Sequence, residues 1–185
     1  QYIKVYVVDI KTDTKEPVIL LSRKHPGLVK RLFELEVPEI QDGTVVIKGV
    51  IREAGSRTKM AVESRDADVD PIGACIGNRG MRIAGIVDEL RGEKIDIIKY
   101  SDVPEEYVAA ALSPATVVSV TMTGDRSCKV IVSDDQLSLA IGIKGQNARL
   151  AAKLTGCKID IKSSSEEKKA AFDAIMNGTA EKTTT

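Results

Sequence analysis

The sequence predicts an α+β fold in which two αββααβ modules stand in tandem behind the last strands of an antiparallel β-barrel. Two observations carry this. The stretch "IGNRG" (residues 76–80) returns as "IGIKG" (residues 141–145), and the segments on both sides return with it in the same order. The offset is 65 residues at the two loops and 64 at the two "KID" triplets, so a whole unit of structure has been repeated with one residue gained or lost. The G-x-x-G spacing alone would mean little, because 14 glycines in 185 residues produce about one such spacing by accident.

The elements follow in chain order. Residues 2–10 are β-branched and aromatic with partial alternation, residues 12–17 form a polar turn, and residues 18–22 read as a second strand. Two strands do not make an independent domain. Residues 1–25 are therefore expected to be the end of a barrel or sandwich whose beginning is missing, and the start at Gln1 is expected to mark a fragment. Pro26 opens a helix with Leu28, Leu32 and Leu35 near helical spacing, and Pro38 closes it. The first module, residues 26–101, continues with "TVVIKGVIRE", the turn "AGS", "TKMAVES", a helix into "IGNRG", a second helix and "KIDIIKY". On that second helix Ile83, Ile86, Val87 and Leu90 keep i, i+3, i+4, i+7 spacing. The second module, residues 102–163, repeats the series after a helix over 104–112. Only "KYSDVPEE" joins the two, which leaves little free linker. In residues 164–185 a capped helix is expected to end at Gly178, with "TAEKTTT" disordered beyond it.

Composition bounds the function. Hydrophobic residues make up 43% of the chain, enough for one or two modest cores. No apolar run approaches the roughly 18 to 20 residues that cross a bilayer, and no signal peptide opens the chain, so a cytoplasmic protein without a membrane partner is expected. Cys75, Cys128 and Cys157 are an odd number at long spacings beside a single histidine, which suggests reduced core thiols and neither a disulfide framework nor a metal site. With the one histidine, His25, read as a helix-end residue, no Cys/His or Ser/His/Asp set is expected, and no G-x-x-x-x-G-K-[ST] is present; an enzyme is not expected, nor a cofactor. His25 beside Pro26 reads as a helix-end residue. Charge balances at 27 against 27, so any site for a polyanion must be local.

Such a site is visible at the loops. Two close glycines, Gly77 and Gly80 or Gly142 and Gly145, remove side-chain bulk where a ligand backbone could approach, and the following helix offers unpaired N–H groups and its positive dipole end. No acidic residue lies between Asp70 and Asp88 or between Asp135 and Asp160, whereas Arg79 and Arg82 occupy the first gap and Lys144, Arg149, Lys153 and Lys158 the second. Ile76, Asn78, Ile141 and Ile143 complete the loops, and the small aliphatic surroundings suit a groove that holds bases by van der Waals contact. Arg82 and Arg149 read equally as solvated helix charges, and Gln146 and Asn147 equally as caps. Tyr2 and Tyr6 could stack bases, although core packing is the reading favoured for truncated barrel strands.

The βααβ core carrying "IGNRG" and "IGIKG" resembles a KH domain, whose G-x-x-G loop clamps the backbone of about four nucleotides. With the preceding helix and strands each module resembles the type II arrangement. "SRKHPGLVKRLFELEVPEI", "DPIGACIGNRG" and "LSLAIGIKGQNARLAAKLTG" are similar to the NusA family of bacterial transcription factors over nearly the whole chain. The resemblance implies two tandem type II KH domains behind the last strands of an OB-fold barrel. It also implies a surface gripping single-stranded nascent RNA during pausing, termination and antitermination, with RNA polymerase as partner of the full-length protein and other transcription factors as further partners. A monomer is expected. Ile143 departs from the family, whose loop is usually polar or basic there. The competing reading is a protein-interaction scaffold that keeps the fold without RNA binding.

Overall fold

The computed structural model describes residues 2–13 and 15–180 and divides into two compact units, residues 1–101 and 102–185. Strands β1 (Tyr6–Lys11) and β2 (Val18–Ser22) open the first unit as a two-stranded antiparallel sheet, with Tyr6 opposite Ser22. Residues 2–5, expected in the strand, lie outside it. The Tyr6 ring stacks on His25 at 4.5 Å between centroids and 6° between planes, and it packs against the core, so this tyrosine is used by the fold. His25 is a helix-end residue, as expected: its Nδ1 accepts from the Gly27 N–H at 2.9 Å and caps α1 (Pro26–Glu36).

Helix α1 buries Leu28, Val29, Leu32 and Phe33, while Leu35 is 62% exposed. Leu35, expected on the core face, lies about 90° round the helix from the centre of that buried stripe at 100° per residue. Val37 takes its place in the core, and Pro38 starts a further turn, α2 (Pro38–Gln41), where the sequence suggested only a stop. Strands β3 (Val45–Glu53), β4 (Arg57–Ser64) and β5 (Lys94–Lys99) form a sheet with β4 central, antiparallel to β3 and parallel to β5. Between β4 and β5 run α3 (Pro71–Ile76) and α4 (Met81–Glu89), which set Cys75, Ile86 and Leu90 against Met60 and Val62. Burial raises the Cys75 thiol to about 12, so it stays protonated and inert.

The second unit repeats this plan. Helix α5 (Pro104–Ala111) precedes β6 (Ser119–Gly124) and β7 (Ser127–Val132), then α6 (Leu137–Ile141), α7 (Gln146–Thr155) and β8 (Lys158–Ser163), with β7 central and parallel to β8. Val108, Leu112, Val130, Ala140 and Leu150 are buried. Cys128 is buried too, but Cys157, expected in the core, is only partly covered. Helix α8 (Ser164–Ala180) begins with a reciprocal capping box: the Ser163 N–H donates to Glu166 at 2.9 Å and the Glu166 N–H to the Ser163 hydroxyl at 3.2 Å. The helix continues past Gly178, because one glycine near a helix end costs only about 1 kcal/mol and does not force a stop. The disorder expected of "TAEKTTT" falls largely outside the described residues. Among those residues no helix is long and apolar enough to cross a membrane.

Candidate nucleic-acid interface

Each G-x-x-G loop is a sharp break between two helices. In the first, Asp70 caps α3 by accepting from the N–H groups of Ile72 at 3.1 Å and Gly73 at 3.0 Å. Gly77 ends that helix at φ 75°, ψ 174°, the next three residues form one 3-10 turn, and Gly80 at φ 75°, ψ 12° opens α4. The second loop repeats these angles almost degree for degree, with Gly142 at 78°, 171° and Gly145 at 72°, 16°. The middle positions agree as well: Arg79 stands at φ 51°, ψ 28° and Lys144 at φ 52°, ψ 29°. A repeat in sequence has become a repeat in backbone geometry.

All four loop glycines hold a positive φ, but a Cβ on the first and on the second glycine of a loop would meet different surroundings. A Cβ on Gly77 would come within 2.5 Å of the Arg82 side chain, and one on Gly142 within 2.8 Å of the Asn147 backbone nitrogen. The first glycine therefore lets the second helix pack against the loop. A Cβ on Gly80 or Gly145 would meet nothing within 4 Å. The second glycine answers to its positive φ, and it leaves open surface where another backbone can approach. No side chain caps the N-terminus of α4 or of α7; the Met81 and Gln146 N–H groups donate to the Asn78 and Ile143 carbonyls within the loop, and the positive dipole ends of both helices lie at that surface.

The expected site residues separate into two groups. Asn78, Arg79, Ile143 and Lys144 are exposed at the loop tips, and Ile141 is 38% exposed. Among the described residues the side chains of Arg79 and Lys144 have no hydrogen-bond or ion-pair partner. Both residues directly precede an open glycine and stand in the left-handed region, which L-residues with a Cβ enter at a cost of about 1–2 kcal/mol. Ile76 and Gln146 are half-buried beside the loops, and the Arg149 guanidinium, exposed, donates to the Lys144 carbonyl at 3.0 Å.

Two expected contacts are committed elsewhere. Asn147 is 2% exposed, and its amide donates to the carbonyls of Leu112 at 2.9 Å and Ala140 at 3.0 Å, tying α5 and α6 to α7. Its amide nitrogen is spent on the fold. Arg82 donates to the Ala74 carbonyl at 2.7 Å and pairs with Glu39 at 2.9 Å, which neutralises half of the positive charge that the first loop carries in sequence. Replacement of Asn147 by alanine is expected to lower the stability of the second unit by about 1–3 kcal/mol, because two buried carbonyls lose their donor. Thermal unfolding reads this, whereas a residue serving only as a surface ligand would leave the transition unmoved.

Sequence reasoning missed Met81, the first residue of α4, which is 74% exposed beside the open Gly80. With it, Ile143 at 86% and Ile141 at 38% exposure put large apolar side chains in solvent at both loops. The signal in sequence was an apolar residue directly at the loop where helical periodicity assigns no core contact. Among the described residues no group of three His, Cys, Asp or Glu side chains is arranged to hold a metal ion.

Residues 23–100 match the NusA-like first KH domain and residues 104–169 the NusA-like second KH domain. Among known proteins, "Transcription termination/antitermination protein NusA" of Halalkalibacterium halodurans is 61% identical over 165 residues, covering 89% of this chain and 43% of that protein. The Bacillus subtilis protein of the same name is 59% identical over 165 residues, with 89% and 44% covered. The Thermus thermophilus one is 49% identical over 160 residues, with 86% and 41% covered. The chain thus spans less than half the length of these relatives. The crystal structure of APE1850 superposes with a TM-score of 0.51 at 26% identity, covering 72% of this chain and 95% of that one.

Proposed function

The chain belongs to the NusA family of transcription termination/antitermination proteins, and from that membership we propose that it grips single-stranded RNA with both G-x-x-G loops as the RNA-binding part of such a factor. One observation carries the reading: in both loops an unpartnered, exposed cation in left-handed backbone directly precedes a glycine around which a side chain would meet nothing, at a helix N-terminus with no side-chain cap. A phosphate seated there meets the positive dipole end of α4 or α7, and Arg79 or Lys144 neutralises its charge. Bases next to that phosphate cover apolar side chains that are otherwise wet, Met81 at the first loop and Ile141 and Ile143 at the second. An isoleucine inside the second loop therefore exchanges a polar contact for a base contact. Phosphate seating is indifferent to sequence, and base packing supplies what selectivity there is.

In this reading the whole protein acts on elongating transcription in the bacterial cytoplasm, as a monomer with RNA polymerase and other transcription factors as partners, and the β1–β2 hairpin is the end of an OB-fold barrel. The relatives' name supports termination and antitermination as the processes concerned; it describes no catalysed reaction. Titration with a short single-stranded RNA tests the RNA-binding step. With two to four phosphate contacts per loop, log K should fall against log salt with a slope between about −3 and −6, at about 0.7 per contact. A slope near zero overturns phosphate clamping, and no binding at all favours a scaffold that keeps only the fold.

A further inference from the structure

Among the described residues three amino acids other than glycine hold a positive φ, and all three are cations followed by a glycine of positive φ: Arg79–Gly80, Lys144–Gly145 and Arg91–Gly92. Two of these pairs are the tips of the G-x-x-G loops. The third, with Arg91 at φ 57° and Gly92 at φ 87°, lies where α4 ends, nine helical residues or about 13 Å of rise from the first loop. There the Gly92 N–H donates to the Val87 carbonyl and the Arg91 N–H to the Asp88 carbonyl, both at 2.9 Å. A cation at a helix C-terminus gains about 0.3–1 kcal/mol from the dipole. The left-handed backbone costs about 1–2 kcal/mol for a residue with a Cβ, so the dipole does not account for an arginine where glycine would sit free of strain.

Arg91 stands on a basin of about 510 Å³ whose charged lining is Arg23, Lys24, Arg52, Arg91 and Glu93. Two of those cations are spoken for. Arg52 is locked to Glu93 by two hydrogen bonds of 2.9 Å, and Arg23 donates to the Glu89 carboxylate at 2.9 Å and to the Glu89 carbonyl at 2.8 Å. Lys24 and Arg91 are exposed, and among the described residues neither side chain has a partner. Two uncompensated positive charges therefore face a concave space large enough for a nucleotide, at the far end of the helix whose N-terminus forms the first loop.

We propose that this basin is a third phosphate site, which takes the backbone of the same single-stranded RNA two or more nucleotides away from the one held at Gly77–Gly80. The proposal rests on the reading of the loops as RNA clamps. Arg91 repeats the backbone device of Arg79 and Lys144, and Lys24 supplies the second charge needed to hold an anion near the carbonyl end of α4. The site lengthens the footprint of the first module along the axis of that helix, and it recognises phosphate rather than base.

The test pairs two variants with two RNAs on the full chain. Lys24→Gln/Arg91→Gly removes both charges and relieves the backbone at residue 91, so the fold, followed by circular dichroism, is expected to hold. An RNA of about four nucleotides fills one loop, and one of about twelve reaches beyond it. The variant should bind the longer RNA about tenfold more weakly, with a salt slope shallower by about 1.4, and should bind the shorter RNA as the parent does. Asn78→Asp/Arg79→Asp should weaken both. If the loop variant weakens both RNAs and Lys24→Gln/Arg91→Gly weakens neither, or weakens both equally, the third site is wrong and the clamp reading stands. If the loop variant weakens neither, the clamp reading fails and takes the third site with it.

Discussion

Replacing Asn78 and Arg79 with aspartate, or Ile143 and Lys144 with aspartate, should weaken single-stranded RNA binding at least tenfold, about 1.4 kcal/mol, while leaving the fold intact. Each double substitution changes the charge at its loop by −3, since one neutral and one cationic side chain both become carboxylates. Those carboxylates occupy the place of the phosphate: they sit in front of an uncapped helix N-terminus and satisfy the dipole that the ligand would otherwise satisfy. Repulsion and competition thus act together against RNA. Folding is spared for reasons local to each residue. Positions 79 and 144 hold φ 51° and 52°, a region in which aspartate is several-fold enriched, and all four side chains are exposed. Anisotropy titrations at matched ionic strength, with circular dichroism as the folding control, measure both halves of the expectation. Variants that fold and still bind as the parent does remove the clamp, and the scaffold reading then takes its place.

The loops were legible because their signal is local and doubled. Glycine spacing, the missing acids and the periodicity of Ile83, Ile86, Val87 and Leu90 all lie within twenty residues, and the second copy fixed the register of the first. What escaped depends on partners distant in sequence. Arg82 looks like a solvated helix charge until α2 brings Glu39, 43 residues earlier, to 2.9 Å. Asn147 stands at a helix start where a cap and a ligand contact have the same sequence signature, and only the packing of α5, contributing the Leu112 carbonyl, decides for the interior. Leu35 was misplaced because a stripe of three leucines fits helical spacing whether its centre falls on Leu32 or on the neighbouring Val29 and Phe33. The basin beside Arg91 could not be read at all, since residues 23–24, 52 and 91–93 come together only when the sheet and α4 are built.

The floor of that basin carries the second large effect. Arg52 and Glu93 are 3% and 0% exposed at their side chains, and the carboxylate accepts two hydrogen bonds from the guanidinium at 2.9 Å, one from the Thr58 hydroxyl at 2.7 Å and one from the Gly55 N–H at 2.9 Å. Burial pushes the Glu93 carboxyl up, and the hydrogen bonds from Arg52, Thr58 and Gly55 more than reverse this, leaving it below its ordinary value of 4.5. Arg52→Met should therefore destabilise the first unit by about 3–5 kcal/mol, because it leaves a buried carboxylate without its countercharge. The pH dependence should change sign as well. In the parent a lowered carboxyl contributes stability above pH 4.5 that is lost as pH falls through its folded value. In Arg52→Met burial wins, the carboxyl rises above 4.5, and the unit gains stability as pH falls from that raised value toward 4.5. Hydrogen exchange of the β3 and β4 amides, compared at neutral pH and near pH 5, reads both effects. Arg52→Met/Glu93→Gln, which removes the charge, keeps an acceptor oxygen for the Gly55 N–H and offers the Thr58 hydroxyl an amide N–H to accept from, should recover most of the loss and lose the inverted pH dependence. A single variant as stable as the parent at neutral pH would mean that water or another donor replaces the guanidinium, and that the pair is not what holds the β3–β4 turn against β5.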